Sequence, residues 1–300
     1  MGKRYLRCGV ALACGVVLAV TVGCSANPQT GTKVTAYAVA AAQAADPAAA
    51  SPVHCVTSDH SFDALAGKMA GDIDSELRGR ESSVGVDETD SRTGITCQYH
   101  QTWHFYAASA IKVTILGTLL RMAQDENRQL TANEKNLAWL MITQSDNDAA
   151  TALWNEVGMT RLQDFLNLAK MSETKLSYSW GLTLLTARDE SLLLNLLSAP
   201  NTVLDRASRI YARYLMAHVI AGQRWGVSAG APSDVIVHIK NGWLPYPNGY
   251  GPWVINSLGI FTATNRVYTI AVLTYDNPSE TYGIDTVQDI ARAINGDLNS

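Results

Sequence analysis

The order of helical and strand patterns along the chain is the feature that most constrains its fold. Three runs, at 234–243, 253–262 and 267–276, are rich in β-branched and aromatic residues and are separated by Gly, Pro and Asn turns. They predict three antiparallel strands. An alternating segment at 82–100 predicts a hairpin, and helical patterns at 108–197 separate it from those strands. We therefore expect an α+β fold: an antiparallel sheet formed from N- and C-terminal segments, with flanking helices and an inserted all-helical lobe.

Further helical patterns supply the layers that flank this sheet. Residues 61–77, 206–222 and 282–294 each place apolar side chains at helical spacing. Within the central block, Thr131 and Glu134 have the spacing of a capping box at a helix start, and Gly158 is a residue at which a helix is expected to end.

The composition is that of a folded domain without a strongly charged surface. Of the 300 residues, 47% are hydrophobic and 17% are charged, and the net charge is −4. The chain therefore has enough apolar material for one large core. Its 23 basic residues are scattered along the chain, which argues against nucleic acid as a partner.

The first 24 residues have the pattern of an export signal. Lys3, Arg4 and Arg7 precede an apolar run at 10–22, which is too short to span a membrane comfortably. The letters TVGC ending at Cys24 resemble a bacterial lipobox, in which the cysteine becomes the lipidated first residue of the mature protein. This predicts export and a lipid anchor on the outer face of the cytoplasmic membrane. Ordinary cleavage nearby, and hence secretion, is the alternative.

The chain after the signal divides into a tether and a domain. Residues 25–58 are Ala-rich and have few large apolar side chains, so we expect a tether there and a folded domain at 59–300. Apart from the expected anchor, Cys55 and Cys97 are the cysteines that remain after the signal is removed. Two such cysteines commonly pair in an oxidising compartment. Two buried free thiols are the alternative.

Ser109 and Lys112 are the first candidates for chemistry. They lie three positions apart near the start of an apolar helical pattern, which makes them neighbours on one helix face. Free N–H groups and the helix dipole favour a developing negative charge there, and a buried lysine with a lowered pKa can accept the proton of a serine hydroxyl. The pattern alone is weak, because Ser172 and Lys175 repeat it among polar residues.

Two further motifs follow in a fixed order. The letters SDN stand at 145–147, at the junction of two helical patterns, and KNG stands at 240–242 on an expected strand. With the three motifs in this order, residues 59–298 resemble the serine β-lactamase and penicillin-binding protein superfamily. The resemblance is strongest to class A β-lactamases, whose motifs are S-x-x-K, S-D-N and K-T-G.

The resemblance implies a role for each matched residue. Ser109 is the implied nucleophile and Lys112 its proton acceptor. Ser145 is the implied proton relay to the leaving nitrogen, and Lys240 is the implied cation that draws the substrate carboxylate. The implied substrate-binding residues are Asn147, Asn241, Gly242 and Trp243. Asp146 is expected to brace its loop, and the backbone N–H groups of Ser109 and Trp243 to form an oxyanion hole.

Two departures from the class A pattern bear on function. Asn241 replaces the hydroxyl that normally meets the substrate carboxylate, although its amide can still donate a hydrogen bond. The stretch at 171–191 contains no Glu-x-x-x-Asn, the source of the base that hydrolyses the acyl-enzyme in class A enzymes. Glu173 is the upstream candidate for this base, and a solvated loop carboxylate is the alternative reading. We therefore expect slow deacylation.

Other patterns compete with this interpretation. Residues 226–230 read GVSAG, the nucleophile elbow of α/β-hydrolases, but a helical pattern precedes it and a strand pattern follows. No metal motif is present in the sequence, and His100, His104 and His238 have separations that suit no single metal site. We therefore expect neither metal nor cofactor.

The expected function is that of a monomeric serine hydrolase acting on β-lactams or peptidoglycan-like small molecules. One alternative is a D-Ala-D-Ala peptidase or esterase. The other is a non-catalytic penicillin-binding lipoprotein that serves as a sensor. Retention of both a nucleophile and its base argues against a protein that only binds.

Overall fold

The structure, a computed structural model, describes residues 53–245 and 252–300. The strands in these ranges are β1 His54–Val56, β2 Ser83–Asp90, β3 Thr96–Tyr99, β4 Phe105–Tyr106, β5 Leu184–Leu185, β6 Ile236–Pro245, β7 Trp253–Ala263 and β8 Arg266–Asn277. The helices are α1 Asp63–Leu77, α2 Lys112–Asp125, α3 Ala132–Thr143, α4 Asn147–Ala169, α5 Ala187–Ser198, α6 Arg206–Ala217 and α7 Glu280–Leu298. Two short 3₁₀ helices flank these elements: Ala108–Ile111, called the Ser109 turn, and Trp180–Leu182, called the Trp180 turn.

The main sheet is antiparallel and has the strand order β1-β3-β2-β8-β7-β6. The N-terminal hairpin joins the C-terminal strands through β2 and β8, where Val86 lies opposite Val272. Strands from both ends of the chain therefore form one sheet, and the predicted α+β fold is confirmed. Because β6 ends this order, one long side of it has no strand partner within the described residues.

Helices cover both faces of the sheet. On one face α1 and α7 pack against it, with a core that includes Met69, Ile73, Val272, Ile290 and Ile294. The other face packs against α5 and the helical lobe, with a core that includes Leu116, Leu153, Phe165, Leu194 and Leu258. Within that lobe α2 is buried on all sides, and every residue from 112 to 120 is shielded from solvent. Because the helix is surrounded by protein from its first residue, the side chain of Lys112 is buried in the interior.

The capping box predicted for α3 is confirmed. The Thr131 hydroxyl accepts from the Glu134 N–H (3.1 Å), and the Glu134 carboxylate accepts from the Thr131 N–H (2.6 Å). The helix end predicted at Gly158 is confirmed as a break within α4, where one helical segment ends and a second begins. Gly158 has φ 73° and ψ 159° inside α4, and the helix resumes after it, because glycine adopts this conformation without the strain of a Cβ.

Two short pairings differ from the sequence-based expectation. The tether was expected to extend to residue 58, whereas His54–Val56 forms strand β1 and pairs with β3. The tether boundary was therefore wrong by several residues, because a three-residue strand has too few positions to give an alternating pattern. In the second pairing, β4 and β5 form a separate two-stranded sheet, with Phe105 opposite Leu185.

A disulfide joins the edge strand to the sheet. Cys55 on β1 and Cys97 on β3 lie directly opposite each other in the ladder and are bonded through their sulfurs. The bond links residues 42 positions apart, and such cross-links typically stabilise a domain by about 2–4 kcal/mol.

The expected export signal, Cys24 and residues 25–52 of the expected tether lie outside the described residues. Among the helices that are described, none is long and apolar enough to cross a membrane.

Candidate active site

The Ser109 turn lies directly before α2, and Ser109 itself is partly exposed. The preceding residue, Ala108, has φ +46°, a left-handed conformation that is uncommon for alanine. The segment is held from the sheet, because the buried Asn256 amide on β7 donates to the backbone oxygens of Tyr106 (2.8 Å) and Ala107 (3.1 Å). Asn256 was not identified from the sequence, where its signal is a pair of polar residues, Asn256 and Ser257, inside a mostly apolar strand pattern.

Gly242 brings strand β6 into direct contact with the Ser109 turn. A Cβ atom at this position would lie 2.6 Å from the Ala110 nitrogen and 2.8 Å from the Ser109 nitrogen. Glycine is therefore required here by the close approach of two backbones. The contact sets the Ser109 N–H beside the strand edge that carries Trp243, whose N–H is the other expected oxyanion donor.

Lys112 lies one helical turn after Ser109 and is fully buried. Its Nζ donates to the Ser145 carbonyl (2.6 Å), the Ser145 hydroxyl (3.2 Å) and the Asn147 side-chain oxygen (2.8 Å). Burial lowers the pKa of Lys112 to about 8, against the opposing effect of the Asp146 charge. This lysine can therefore lose its proton near neutral pH.

Lys240 approaches the same hydroxyl from strand β6. Its Nζ donates to Ser145 Oγ (2.8 Å) and to the Asn241 carbonyl (2.7 Å), and its side chain is fully buried. Burial, and then the nearby charge of Lys112, hold the pKa of Lys240 well below its ordinary value. Two buried amines therefore contact one hydroxyl, and each makes loss of a proton from the other easier.

The loop between α3 and α4 positions Ser145 between these lysines. Ser145 has φ +57°, and the next residue, Asp146, caps α4 by accepting from the Ala149 N–H (2.7 Å). The Asp146 N–H donates in turn to the Leu140 carbonyl (3.1 Å). Asp146 thus braces the loop and its carboxylate is occupied by the helix start, while Asn147 is exposed at the first position of α4.

Asn241 does not face the site, which corrects its expected role in binding the substrate carboxylate. Its amide nitrogen donates to the Gln223 and Trp225 carbonyls (2.9 Å each), and its oxygen accepts from the Ser257 hydroxyl (2.6 Å). The side chain is 1% exposed, so no donor is left for a ligand. The reason is the alternation of side chains along a strand, which turns Asn241 to the face opposite Lys240.

Trp225 and Trp243 border the strand edge. Their rings meet edge to face with centroids 5.7 Å apart, an arrangement that aromatic pairs prefer. Both side chains remain partly exposed. The loop that Asn241 holds therefore also supports the Trp243 side chain.

The segment between α4 and α5 contains Glu173, the candidate base. Its backbone N–H donates to the Asp189 carboxylate (3.0 Å), and its carbonyl accepts from His104 Nε2 (2.9 Å). In the described part of the chain, no carboxylate is hydrogen bonded to Lys112. The ring of Trp180 lies there instead, with its centroid 5.0 Å from Lys112 Nζ.

The model of the β-lactamase enzyme family matches residues 131–298, more than half of the chain. The chain belongs to the β-lactamase enzyme family. The match includes the motifs of Ser145 and Lys240, whereas Ser109 and Lys112 lie just before it.

Solved structures of β-lactamases and related proteins share the fold of this family member. A class A β-lactamase from Bacteroides cellulosilyticus has a TM-score of 0.67 and 18% identity, covering 78% of this chain and 98% of that chain. TLA-3 extended-spectrum β-lactamase has a TM-score of 0.69 and 17% identity, covering 80% and 100%. A mutant of PBP-A, in an acyl-enzyme complex with penicillin G, has a TM-score of 0.66 and 18% identity, covering 78% and 97%. No curated protein sequence matches the chain.

The competing serine patterns of this β-lactamase family member lie on segments other than those that carry the lysine pair. Ser172 and Lys175 are exposed between α4 and α5, outside any helix. Ser228 donates its hydroxyl to the Arg224 carbonyl (2.9 Å) in the turns between α6 and β6, so the strand, turn and helix of an α/β-hydrolase elbow are not formed there.

The histidines of the protein do not come together at a common site. His238 lies between the Arg213 carbonyl (2.7 Å) and the Thr262 hydroxyl (3.0 Å), and burial lowers its pKa. His100 stacks on Trp103. Within residues 53–245 and 252–300, no group of three or more His, Cys, Asp or Glu side chains could hold a metal ion.

Proposed function

We propose that this protein is a serine hydrolase that forms an acyl-enzyme on Ser109 and releases it slowly. The observation that carries the proposal is the contact of two buried amines, Lys112 and Lys240, with the Ser145 hydroxyl. Buried lysines with lowered pKa values serve as proton acceptors near neutral pH. A site that only binds a ligand has no need of two, which argues against a non-catalytic sensor.

In acylation, Ser109 Oγ attacks the carbonyl carbon of the substrate while Lys112 in its neutral form accepts the hydroxyl proton. The negative charge that develops on the carbonyl oxygen is stabilised by the N–H groups of Ser109 and Trp243, each worth about 3 kcal/mol in comparable sites. The carbon–nitrogen bond then breaks. The proton taken from Ser109 passes through the Ser145 hydroxyl to the leaving nitrogen.

The substrates that suit this arrangement are β-lactams and related cell-wall peptides with a carboxylate beside the reacting amide. The Asn241 amide is turned away, so the carboxylate is met by Lys240 Nζ and the Ser145 hydroxyl, which lie 2.8 Å apart. The charge of the bound carboxylate favours the protonated form of Lys240. The exposed Asn147 amide is available to the acyl side chain. A small-molecule substrate and a monomeric enzyme meet these requirements, with neither metal nor cofactor.

Hydrolysis of the ester is the slow step in this proposal. A general base contributes typically about 10²- to 10⁴-fold to such a step, and no described carboxylate is hydrogen bonded to Lys112. The same observation favours a second candidate function, that of a penicillin-binding protein or D-Ala-D-Ala peptidase with a long-lived adduct.

We also propose export of the protein and a lipid anchor at Cys24, which the sequence motif supports. The Ala-rich stretch that follows would separate the domain from the membrane. Wild-type protein should partition with membranes, and Cys24→Ala should release or mislocalise it. A mature protein that begins elsewhere than Cys24, without lipid, would contradict the anchor.

Intact-mass spectrometry after incubation with benzylpenicillin tests the proposed function. One penicilloyl mass should be gained on the peptide that contains Ser109, and Ser109→Ala should abolish it. An adduct on Ser172 or Ser228 would contradict the assignment of the nucleophile.

A further inference from the structure

The loop between α4 and α5 is closed at its neck. Lys175 and Leu184 are joined by two backbone hydrogen bonds (2.9 and 3.0 Å). Next to them, the buried Asp189 carboxylate accepts from the N–H (2.6 Å) and the hydroxyl (2.7 Å) of Thr174. The neck is therefore fixed. Residues 176–183 between these two positions form the tip of the loop, which contains the Trp180 turn and is held in place by the body of the protein.

Trp180 points inward from this tip. Its indole N–H donates to the Thr151 hydroxyl on α4 (3.2 Å), and the Trp180 turn packs against the Ser109 turn. Tyr178, two residues earlier, is 93% exposed. The inward position is therefore specific to Trp180 and is not shared by the other aromatic residue of the tip.

The indole completes the surroundings of the Lys112 amine. Three acceptor atoms lie within 3.2 Å of Nζ, and the ring centroid lies 5.0 Å from it. A water between Nζ and the ring would need about 2.8 Å on one side and about 3.5 Å on the other, which exceeds the space present. Lys112 is fully buried although Trp180 is partly exposed, so the indole stands between the amine and solvent.

We propose that Trp180 is the wall that keeps water from Lys112 and from the ester carbon at Ser109, and that it thereby sets the lifetime of the acyl-enzyme. This inference rests on the proposed function. In hydrolysis, the water oxygen adds to the ester carbon and the bond to Ser109 Oγ breaks. One water proton returns to Ser109 Oγ and the other leaves with the product acid. Neutral Lys112 can accept the first proton from water only if water stands beside it.

Four substitutions separate this role from a structural one. Trp180→Ala removes the wall, and Trp180→Phe keeps an aromatic face without the indole N–H. Thr151→Val removes the acceptor that holds the indole, at an exposed position of α4, together with the hydrogen bond from the Thr151 hydroxyl to the Asn147 carbonyl (2.9 Å). Tyr178→Ala is the matched control, because it removes an aromatic side chain of the same loop that faces solvent.

The first measurement is the lifetime of the benzylpenicilloyl adduct on the full-length protein, followed by intact mass after free penicillin is removed. Trp180→Ala should shorten it by about tenfold or more, since water then reaches a general base. Thr151→Val and Trp180→Phe, which both lose the hydrogen bond between Thr151 and the indole, should shorten it less than Trp180→Ala does, and Tyr178→Ala should leave it near the wild-type value. Equal lifetimes in wild type, Trp180→Ala and Thr151→Val would overturn the inference, while the adduct itself would uphold the proposed function.

The second measurement needs no acyl-enzyme. Acetic anhydride labels unprotonated, accessible amines, and peptide mass spectrometry reads the labelling of Lys112. Labelling should be faster in Trp180→Ala and Thr151→Val than in wild type, and unchanged in Tyr178→Ala. If wild type takes no adduct, the proposed function fails and labelling alone decides whether Trp180 is a wall. Labelling that stays at the wild-type rate in both variants would show that it is not.

Discussion

Lys112 and Lys240 meet at one hydroxyl, with their Nζ atoms 3.2 Å and 2.8 Å from Ser145 Oγ. Both side chains are fully buried, so two positive charges here are costly and the pair gives up a proton more readily than a solvated lysine does. The arrangement therefore supplies an unprotonated amine that can accept the Ser109 proton. It also supplies a hydroxyl, that of Ser145, through which the proton can reach the leaving nitrogen.

The first prediction is the pH dependence of acylation. Because the pKa of Lys112 is lowered to about 8, the acylation rate should rise with pH as Lys112 loses its proton, with a midpoint near that value. Time courses of adduct formation at a series of pH values measure this. Lys112→Arg should abolish acylation, since arginine keeps its proton, and the exposed Lys175→Ala should change nothing. A rate that is flat from about pH 6 to about pH 9 would rule out Lys112 as the acceptor.

The second prediction concerns the buried carboxyl group of Glu190. In the described part of the chain neither of its oxygens has a hydrogen-bond partner, and burial, followed by the Asp189 charge, raises its pKa well above the ordinary value. A raised folded-state pKa gives stability that is complete below the unfolded-state pKa and is lost as pH rises. Glu190→Gln keeps the shape without the charge, so it should stabilise the protein at about pH 8 by at least about 1 kcal/mol and not at about pH 4.

Urea unfolding at the two pH values measures this difference. The exposed Glu81→Gln is the control and should alter stability at neither pH. A loss of stability in Glu190→Gln at the higher pH would mean that the ionised carboxylate has a favourable partner in the folded protein.

The third prediction follows from the position of Asn241. Its amide donates two bonds to partly buried carbonyl groups and accepts one from the buried Ser257 hydroxyl, and its loss leaves these partners unpaired. Asn241→Ala should therefore lower the free energy of unfolding by about 2–4 kcal/mol, whereas the exposed Asn136→Ala should have little effect. If Asn241 bound the substrate carboxylate instead, Asn241→Ala would slow the acylation by carboxylate-bearing substrates more than the acylation by neutral esters. Equal effects on both are expected.

Lys240 and Asn241 also show which features of the site could be predicted from the sequence and which could not. The resemblance to class A β-lactamases implied that Ser145 and Lys240 act on one substrate, and in the structure Lys240 Nζ lies 2.8 Å from Ser145 Oγ. The strand and the helix junction that carry these residues give clear patterns in the sequence. The face on which Asn241 is buried depends on the turns at 223–227, which have no period. The contacts of Asn256 and Trp180 likewise depend on how distant segments pack. Strands β4 and β5 have two residues each, too few for any alternation to be recognised.

The fourth prediction tests the close approach of β6 to the Ser109 turn. In Gly242→Ala the new methyl group would collide with the Ala110 and Ser109 nitrogens and push the two expected oxyanion donors apart. Acylation should fall by about 10²- to 10³-fold, while circular dichroism remains that of a folded protein. Gly222→Ala is the matched control, because a Cβ there meets nothing within 4 Å. Acylation at the wild-type rate in Gly242→Ala would show that the donors lie elsewhere.

The last prediction concerns the rate of turnover and the part played by Glu173. With a chromogenic β-lactam, wild type should give a fast phase near one equivalent of enzyme and then a much slower steady state. The groups needed for acylation are in place, whereas the absence of a general base should lower the deacylation rate by about 10²- to 10⁴-fold. Glu173 is held through its backbone by Asp189 and His104, and its carboxylate makes no hydrogen bond to Ser109, Lys112 or Ser145. Glu173→Gln should therefore leave both phases nearly unchanged. Linear turnover without a burst, or a collapse of the steady state in Glu173→Gln with the acyl-enzyme accumulating, would show that a carboxylate has taken the role of the base and that the protein turns over as a full β-lactamase.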